Sequence, residues 1–344
     1  MTSSITDVPG IRVGQVQKTG DGWLTGVTVV LPPPGSVGAV DVRGGGPATH
    51  ETDALDPTTL VPTVDAVVLS GGSAFGLIAA HGAQRWLEEQ GLGYRTANAV
   101  VPIVPAAAIY DLGRGGDITA RPDEQMGYDA AASAGAMPDF GAVPRGNVGA
   151  GTGAALGFQQ YKGGVGTASL RMSGANEGVV VGALAVVNAV GMPFHGAGSG
   201  AEGLHTGAAR PGRPPEEGAA RPGRRPEGAD VPGRRGEGAP LNTTLCVVAT
   251  NAVLDPAQAK RTASAAHAGL ARALSPSHTL MDGDVVFTLA TGQQQLVQDG
   301  PMDVRVELHV LAADAVTAAI RDAVVSAERV EGSGVVLEKY PYPG

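Results

Sequence analysis

Cysteine, aromatic residues, charge and long apolar runs are all scarce in this chain of 344 residues, and each shortage excludes something. A single cysteine, Cys246, rules out an intramolecular disulfide and a cysteine-based zinc cluster, and it suits a reducing compartment. Aromatic residues make up 4%, so the core has to be built from Ala, Val and Leu. Charged residues make up 17%, against a usual share of about 25%, which marks a folded and sparsely charged chain. The net charge is -9 and the pI near 5.2, whereas nucleic acid or an anionic membrane as main partner needs a basic face. The longest apolar run, VVVGALAVV at residues 179–187, is half a membrane span. The opening MTSSITDVPGIRVG has neither the basic start nor the apolar run of a signal peptide. These absences predict a cytoplasmic protein whose partner is small or neutral.

Glycine is abundant, with 53 residues, roughly twice the average share of about 7%, so backbones are expected to pack close together. The length fits one large domain or two of about 150 residues. Residues 207–237 stand apart as a decaying tandem repeat, GAARPGRPPEE, GAARPGRRPE, GADVPGRRGE, with Val231 its one β-branched residue. Such a segment cannot bury enough apolar surface to offset its ordering entropy and is expected to be a disordered linker insert.

On either side the periodicity predicts a sheet sandwiched by helices. Strand-like runs occur at residues 26–31, 64–70, 178–187, 243–250 and 284–290, mostly apolar on both faces and hence central. Helical spacing occurs at 73–90, at 256–274 after the N-cap candidate Asp255, and at 312–328.

The glycine-rich loops at 70–76 (SGGSAFG) and 149–157 (GAGTGAALG) lack the lysine and spacing of a phosphate cradle and are expected to serve tight turns beside a site. No two of the seven histidines have metal-ligand spacing, and the compact group His50, Glu51 and Asp53 fits a loop or cap, so no metal is expected. Cys246 lies inside an apolar strand and is expected to be a buried small hydrophobe. More informative is the junction Asn242-Thr243-Thr244, where the insert gives way to a strand. Scission between Asn242 and Thr243 would put an α-amine, reference pKa about 8, on the same residue as a hydroxyl, giving a nucleophile with a built-in base. The same tripeptide also suits a turn or a β-edge. Asp282-Gly283-Asp284 directly precedes the run VVFTLATG. Two carboxylates at a strand entrance can hold an ammonium or a hydroxyl, or else form an ordinary turn or a weak calcium loop.

Seven segments, VDVRGGGPATHETDALDP (40–57), AVVLSGGSAFGL (66–77), VPIVPAAAIYDL (101–112), GNVGAGTG (146–153), KGGVGTASL (162–170), NTTLCVVATNA (242–252) and DGDVVFTLAT (282–291), together resemble the DmpA-type aminopeptidases. That family includes L-aminopeptidase/D-esterases, β-peptidyl aminopeptidases and nylon-oligomer hydrolases. The resemblance spans nearly the whole chain outside the insert. It implies an α+β fold, a four-layer αββα sandwich of the self-cleaving N-terminal-nucleophile type, as a single domain cut into 1–242 and 243–344 and usually a homotetramer. It implies Thr243 as nucleophile, Asn188 and Tyr110 at the oxyanion site, Asp282 and Asp284 orienting the Thr243 amine and hydroxyl, and no metal or organic cofactor. Nylon-oligomer hydrolases carry a lysine after the GAGTG-like turn where this chain has Phe158, and the nearest lysine here is Lys162. The expected activity is hydrolysis of small peptides, amino-acid amides or short amide oligomers through an acyl-enzyme. A β-peptidyl aminopeptidase, an acyl transferase of related fold and a non-enzymatic binding protein are the alternatives.

Overall fold

The polypeptide alternates β-branched runs with alanine-rich helices, and the computed structural model, which describes residues 3–194, 242–332 and 335–342, arranges them in four layers. The repeat at 207–237 lies outside the described residues. The strands, in chain order, are β1 (Arg12–Gly20), β2 (Trp23–Leu31), β3 (Val37–Val42), β4 (Thr49–His50), β5 (Val67–Ser70), β6 (Ala106–Ala108), β7 (Gly164–Arg171), β8 (Val180–Asn188), β9 (Thr243–Ala252) and β10 (Val285–Gln294). The longer helices are α1 (Ala79–Glu89), α2 (Glu124–Ala136), α3 (Pro256–Ala273) and α4 (Arg305–Ser326).

Two five-stranded sheets, ordered β1-β2-β5-β6-β4 and β7-β8-β9-β10-β3, form the middle layers. Their facing side chains make one apolar layer, with Val30, Val67, Leu69 and Ile109 meeting Leu184, Leu245, Val247 and Phe287. A second layer joins the first sheet to α1 and α2 through Val27, Val29, Ala83, Leu87, Met126 and Ala130. A third joins the second sheet to α3 and α4 through Val181, Cys246, Val248, Ala263, Leu270, Val316 and Ile320. This is the expected αββα sandwich. β8 and β9 are buried along their whole length, since both faces of a central strand meet an apolar layer.

The glycine content follows from this stacking. A Cβ on Gly82 would overlap the Glu124 carbonyl where α1 crosses α2, and one on Gly166 would overlap the Ala319 carbonyl where α4 lies on β7. Layers this close need glycine and alanine at the crossings.

Helix bounds depart from expectation in two places. The span 73–90 is broken: one helical turn, Ser73–Gly76, starts from Gly72 at φ 77 and Ser73 at φ 52, and α1 begins only at Ala79. Phe75 and Ile78 consequently face outward. α4 starts at Arg305, seven residues before the expected 312, because Val304 offers no side-chain cap to announce it. α3 starts after Asp255 as expected, with a full capping box to Gln258.

Candidate active site

The first residue of β9 is fixed from both sides by backbone pairing. Across the antiparallel β8 ladder Thr243 is the partner of Asn188, and beyond that ladder Asn242 bridges Asp282 in the segment that enters parallel β10. Asn188, Asn242, Thr243, Asp282 and Asp284, dispersed over nearly a hundred positions, therefore share one end of the second sheet, and all are buried.

Around the Asn242–Thr243 peptide the geometry is tight. Thr243 Oγ1 donates to the Asn242 carbonyl oxygen at 2.6 Å, and the Gly283 N–H donates to that same oxygen at 2.8 Å. The Asn242 N–H donates to Met281 O at 3.1 Å. A Cβ on residue 283 would stand 2.6 Å from Thr243 Oγ1, so glycine is what lets the 282–284 turn close over the threonine. Asp284 Oδ1 accepts the Thr244 N–H at 2.8 Å, and its Oδ2 accepts the His278 backbone N–H at 2.9 Å and lies 2.9 Å from His278 Nδ1. Asp282 Oδ2 accepts the Thr279 N–H and hydroxyl at 2.8 and 2.6 Å. Burial, and then the Asp284 charge, raise the Asp282 pKa above the usual carboxylate range, against the lowering effect of the Thr279 donors. Burial, then the Asp284 charge, push the Cys246 thiol upward, which leaves it inert as a nucleophile.

On the other flank Asn188 is held at three points. Its Oδ1 accepts from Arg114 Nη1 at 2.6 Å and from the Ala155 N–H at 3.1 Å, and its Nδ2 donates to the Tyr110 carbonyl at 3.4 Å. Tyr110 thus joins the group through its backbone. Arg114 also donates to the Gly153 carbonyl, and burial brings its pKa down to about 10. Asp111 takes the Gly72 N–H and the Thr25 hydroxyl at 2.6 and 2.7 Å, and its pKa is raised by burial. Lys162 is buried, donates to the Gly151 and Gly163 carbonyls at 2.7 and 2.8 Å, and is pushed down to about 7 by burial and then by the Arg114 charge. Phe158 sits exposed at a turn with φ 55, so of the two positions Lys162 is the one inside the fold.

The 149–153 loop therefore turns carbonyls toward two cations, the reverse of a phosphate cradle, which presents N–H groups. Glu51 caps the loop at Val104, accepting its N–H at 2.8 Å. Among the described residues no group of three or more His, Cys, Asp or Glu is placed to hold a metal ion, and no helix is long and apolar enough to cross a membrane. Sequence reasoning missed Arg114 and His278. Arg114 lies in the glycine-rich stretch LGRGG, where nothing local signals burial, whereas His278 could have been suspected from standing four residues before Asp282.

The four-layer αββα frame is that of the Ntn-hydrolase-fold aminopeptidases, and here it sets a hydroxyl-bearing residue at the opening of a central strand beside two carboxylates. A solved structure described as the L-aminopeptidase D-Ala-esterase/amidase of Ochrobactrum anthropi, a variant of the Ntn hydrolase fold, shares this architecture, with TM-score 0.71, 23% identity and coverage of 98% of this chain and 92% of that one. The chain belongs to peptidase family S58, whose family model matches residues 3–336. An uncharacterized aminopeptidase of Mycobacterium tuberculosis is 45% identical over 98% of both chains. The 6-aminohexanoate-oligomer endohydrolase of an Agromyces species is 31% identical over 84% of this chain and 75% of its own. The expected family, fold and hydrolase class are thereby borne out.

Proposed function

We propose that the protein is a self-processing aminopeptidase with Thr243 as its nucleophile. The reading is carried by one observation: the Thr243 hydroxyl and the Gly283 N–H both bond the carbonyl oxygen of the peptide to be cut. In self-cleavage Oγ1 attacks the Asn242 carbonyl carbon, and the negative charge that develops on the oxygen is met by the Gly283 N–H. Collapse breaks the C–N bond, the Thr243 nitrogen takes the proton that its hydroxyl gave up, and an ester joins Asn242 to Oγ1. Water then hydrolyses the ester, leaving a carboxylate on Asn242 and a free amine and hydroxyl on Thr243, in chains 1–242 and 243–344.

The amine then serves as base for the hydroxyl in attack on a substrate amide. Asn188, its Oδ1 occupied by Arg114 and Ala155, turns Nδ2 into a fixed donor for the substrate oxyanion, with Tyr110 beside it. Asp282 and Asp284 orient the new ammonium and hydroxyl. Lys162 holds the Gly151 and Gly163 carbonyls beside the Arg114 and Asn188 group. Collapse onto Thr243 releases the amine portion, protonated by the Thr243 ammonium, and water then hydrolyses the acyl-enzyme, with no metal or organic cofactor.

The substrates are small peptides, amino-acid amides or short amide oligomers. The higher identity to an aminopeptidase over the whole chain favours release of an N-terminal residue over cleavage of nylon oligomers. A cleft of about 370 Å³ lined by Trp23, Arg114, Asn147 and Thr152 brings a ligand-sized space to the Arg114 edge of the group. We take the enzyme to be a cytoplasmic homotetramer, a subunit count that light scattering checks. Thr243→Ala should give one uncut band on a denaturing gel and no turnover of aminoacyl p-nitroanilides; two bands from that variant would refute the nucleophile. A panel of these anilides with a linear aminohexanoate oligomer ranks the substrates.

A further inference from the structure

Asp284 is held by more than its neighbours on the strand. Both the backbone N–H and Nδ1 of His278 converge on one oxygen, each at 2.9 Å, while the other oxygen takes the Thr244 N–H at 2.8 Å. A carboxylate oxygen accepts, so Nδ1 carries a proton directed at it. His278 Nε2 is buried with no hydrogen-bond partner. Against this ring packs His267 of α3, edge-on, with centroids 4.8 Å apart and planes at 72°. His267 Nε2 lies 2.9 Å from the Asp41 carbonyl oxygen, which fixes its proton there and leaves Nδ1 bare, and Nδ1 too is buried and unpartnered. Burial keeps His267 neutral, with a pKa brought down to about 4.

His278 also adopts φ 57, a left-handed backbone uncommon outside glycine, which Asn, Asp and His enter more readily than other residues. Two buried, unpartnered ring nitrogens and a left-handed backbone each cost free energy. Space-filling alone calls for none of them, whereas an N–H aimed at Asp284 accounts for the placing of the His278 ring.

We propose that His278, braced by His267, is a positioning residue for the reacting threonine: its Nδ1–H locks the Asp284 carboxylate in the orientation that also grips the Thr244 N–H. The start of β9 is thereby held with the Thr243 hydroxyl, and after scission its amine, facing the target carbonyl. The inference rests on the reading of Thr243 as nucleophile.

The test uses the full chain and three variants. His278→Gly suits the left-handed backbone and keeps the backbone N–H while removing the ring. His278→Asn tolerates the same backbone and returns a side-chain N–H close to Nδ1. Thr243→Ala controls for the nucleophile. Self-cleavage is followed over time in cell-free translation, and kcat and KM are measured on an aminoacyl p-nitroanilide. His278→Gly should slow both self-cleavage and kcat by about 10- to 100-fold at unchanged KM, the scale of a lost hydrogen bond to a charged group. His278→Asn should recover to within about threefold of the wild type at a similar Tm, because the charge-assisted bond is restored. Wild-type rates in His278→Gly overturn the proposal. So does a correctly folded His278→Asn that is as slow as a ringless variant should be, and this result decides alone if the glycine variant does not fold. Two pieces from Thr243→Ala would instead overturn the nucleophile reading beneath it.

Discussion

The two flanks of Thr243 are built in opposite ways. The acidic flank is local: Thr279, Asp282, Gly283, Asp284 and His278 lie within seven positions and bond to one another or to residues 242–244. The cationic flank is assembled from afar, with Asn188 reaching Arg114 across 74 positions and Thr25 reaching Asp111 across 86. A local turn can be set before the sheets close, whereas the Arg114 group exists only once both sheets and the 149–153 loop have met. Damage to the first flank should therefore fall mainly on chemistry, and damage to the second on stability as well.

The largest effect is expected at Gly283. Gly283→Val puts side-chain carbon where Thr243 Oγ1 and the Gly46 carbonyl already stand, 2.6 and 2.9 Å from an ideal Cβ, so the variant should remain one uncut chain and inactive. Intact mass checks this, and efficient cleavage would show that the turn need not close over the threonine. Next comes Arg114→Met, which takes a donor from the Asn188 oxygen and from the Gly153 carbonyl and removes the positive charge beside Asp111. Removing a donor from a buried acceptor costs about 1–3 kcal/mol, and the loss should appear as a fall in Tm together with slowed turnover. Unchanged stability would erase the distinction between the flanks.

Lys162 should give the smallest effect and a signed one. Its ammonium is held down to about 7 in the fold, while an unfolded lysine titrates near 10.4, so between these values the unfolded chain binds the extra proton. Stability then rises as pH climbs from about 7 to 10, and the cost of burying the charge is fully present below that window. Lys162→Met should flatten this slope in urea titrations; an identical slope would place the lysine's titration outside the window.

Legibility in the sequence follows the same division. The strand beginning at Thr243, the Asp-Gly-Asp turn and the capped helix after Asp255 are written in neighbouring residues, and each stands where local patterning puts it. α2 escaped notice although Asp123 caps it by accepting the Met126 N–H, because its alanine and glycine residues give little amphipathic contrast. β1 and β7 escaped because an outer strand of a sheet carries polar residues and glycine that blur alternation. Arg114 could not be found at all from its neighbours, since its burial is created by loops far away in the chain.

The order β7-β8-β9-β10-β3 carries a last consequence. A molecule severed ahead of β9 has two strands of its C-terminal fragment wedged between three of the N-terminal one, hydrogen-bonded along both seams. The fragments are interlocked like the fingers of clasped hands. They should elute from a sizing column as one body, separate only when the sheet itself is dissolved, and fail to swap between molecules that have already matured.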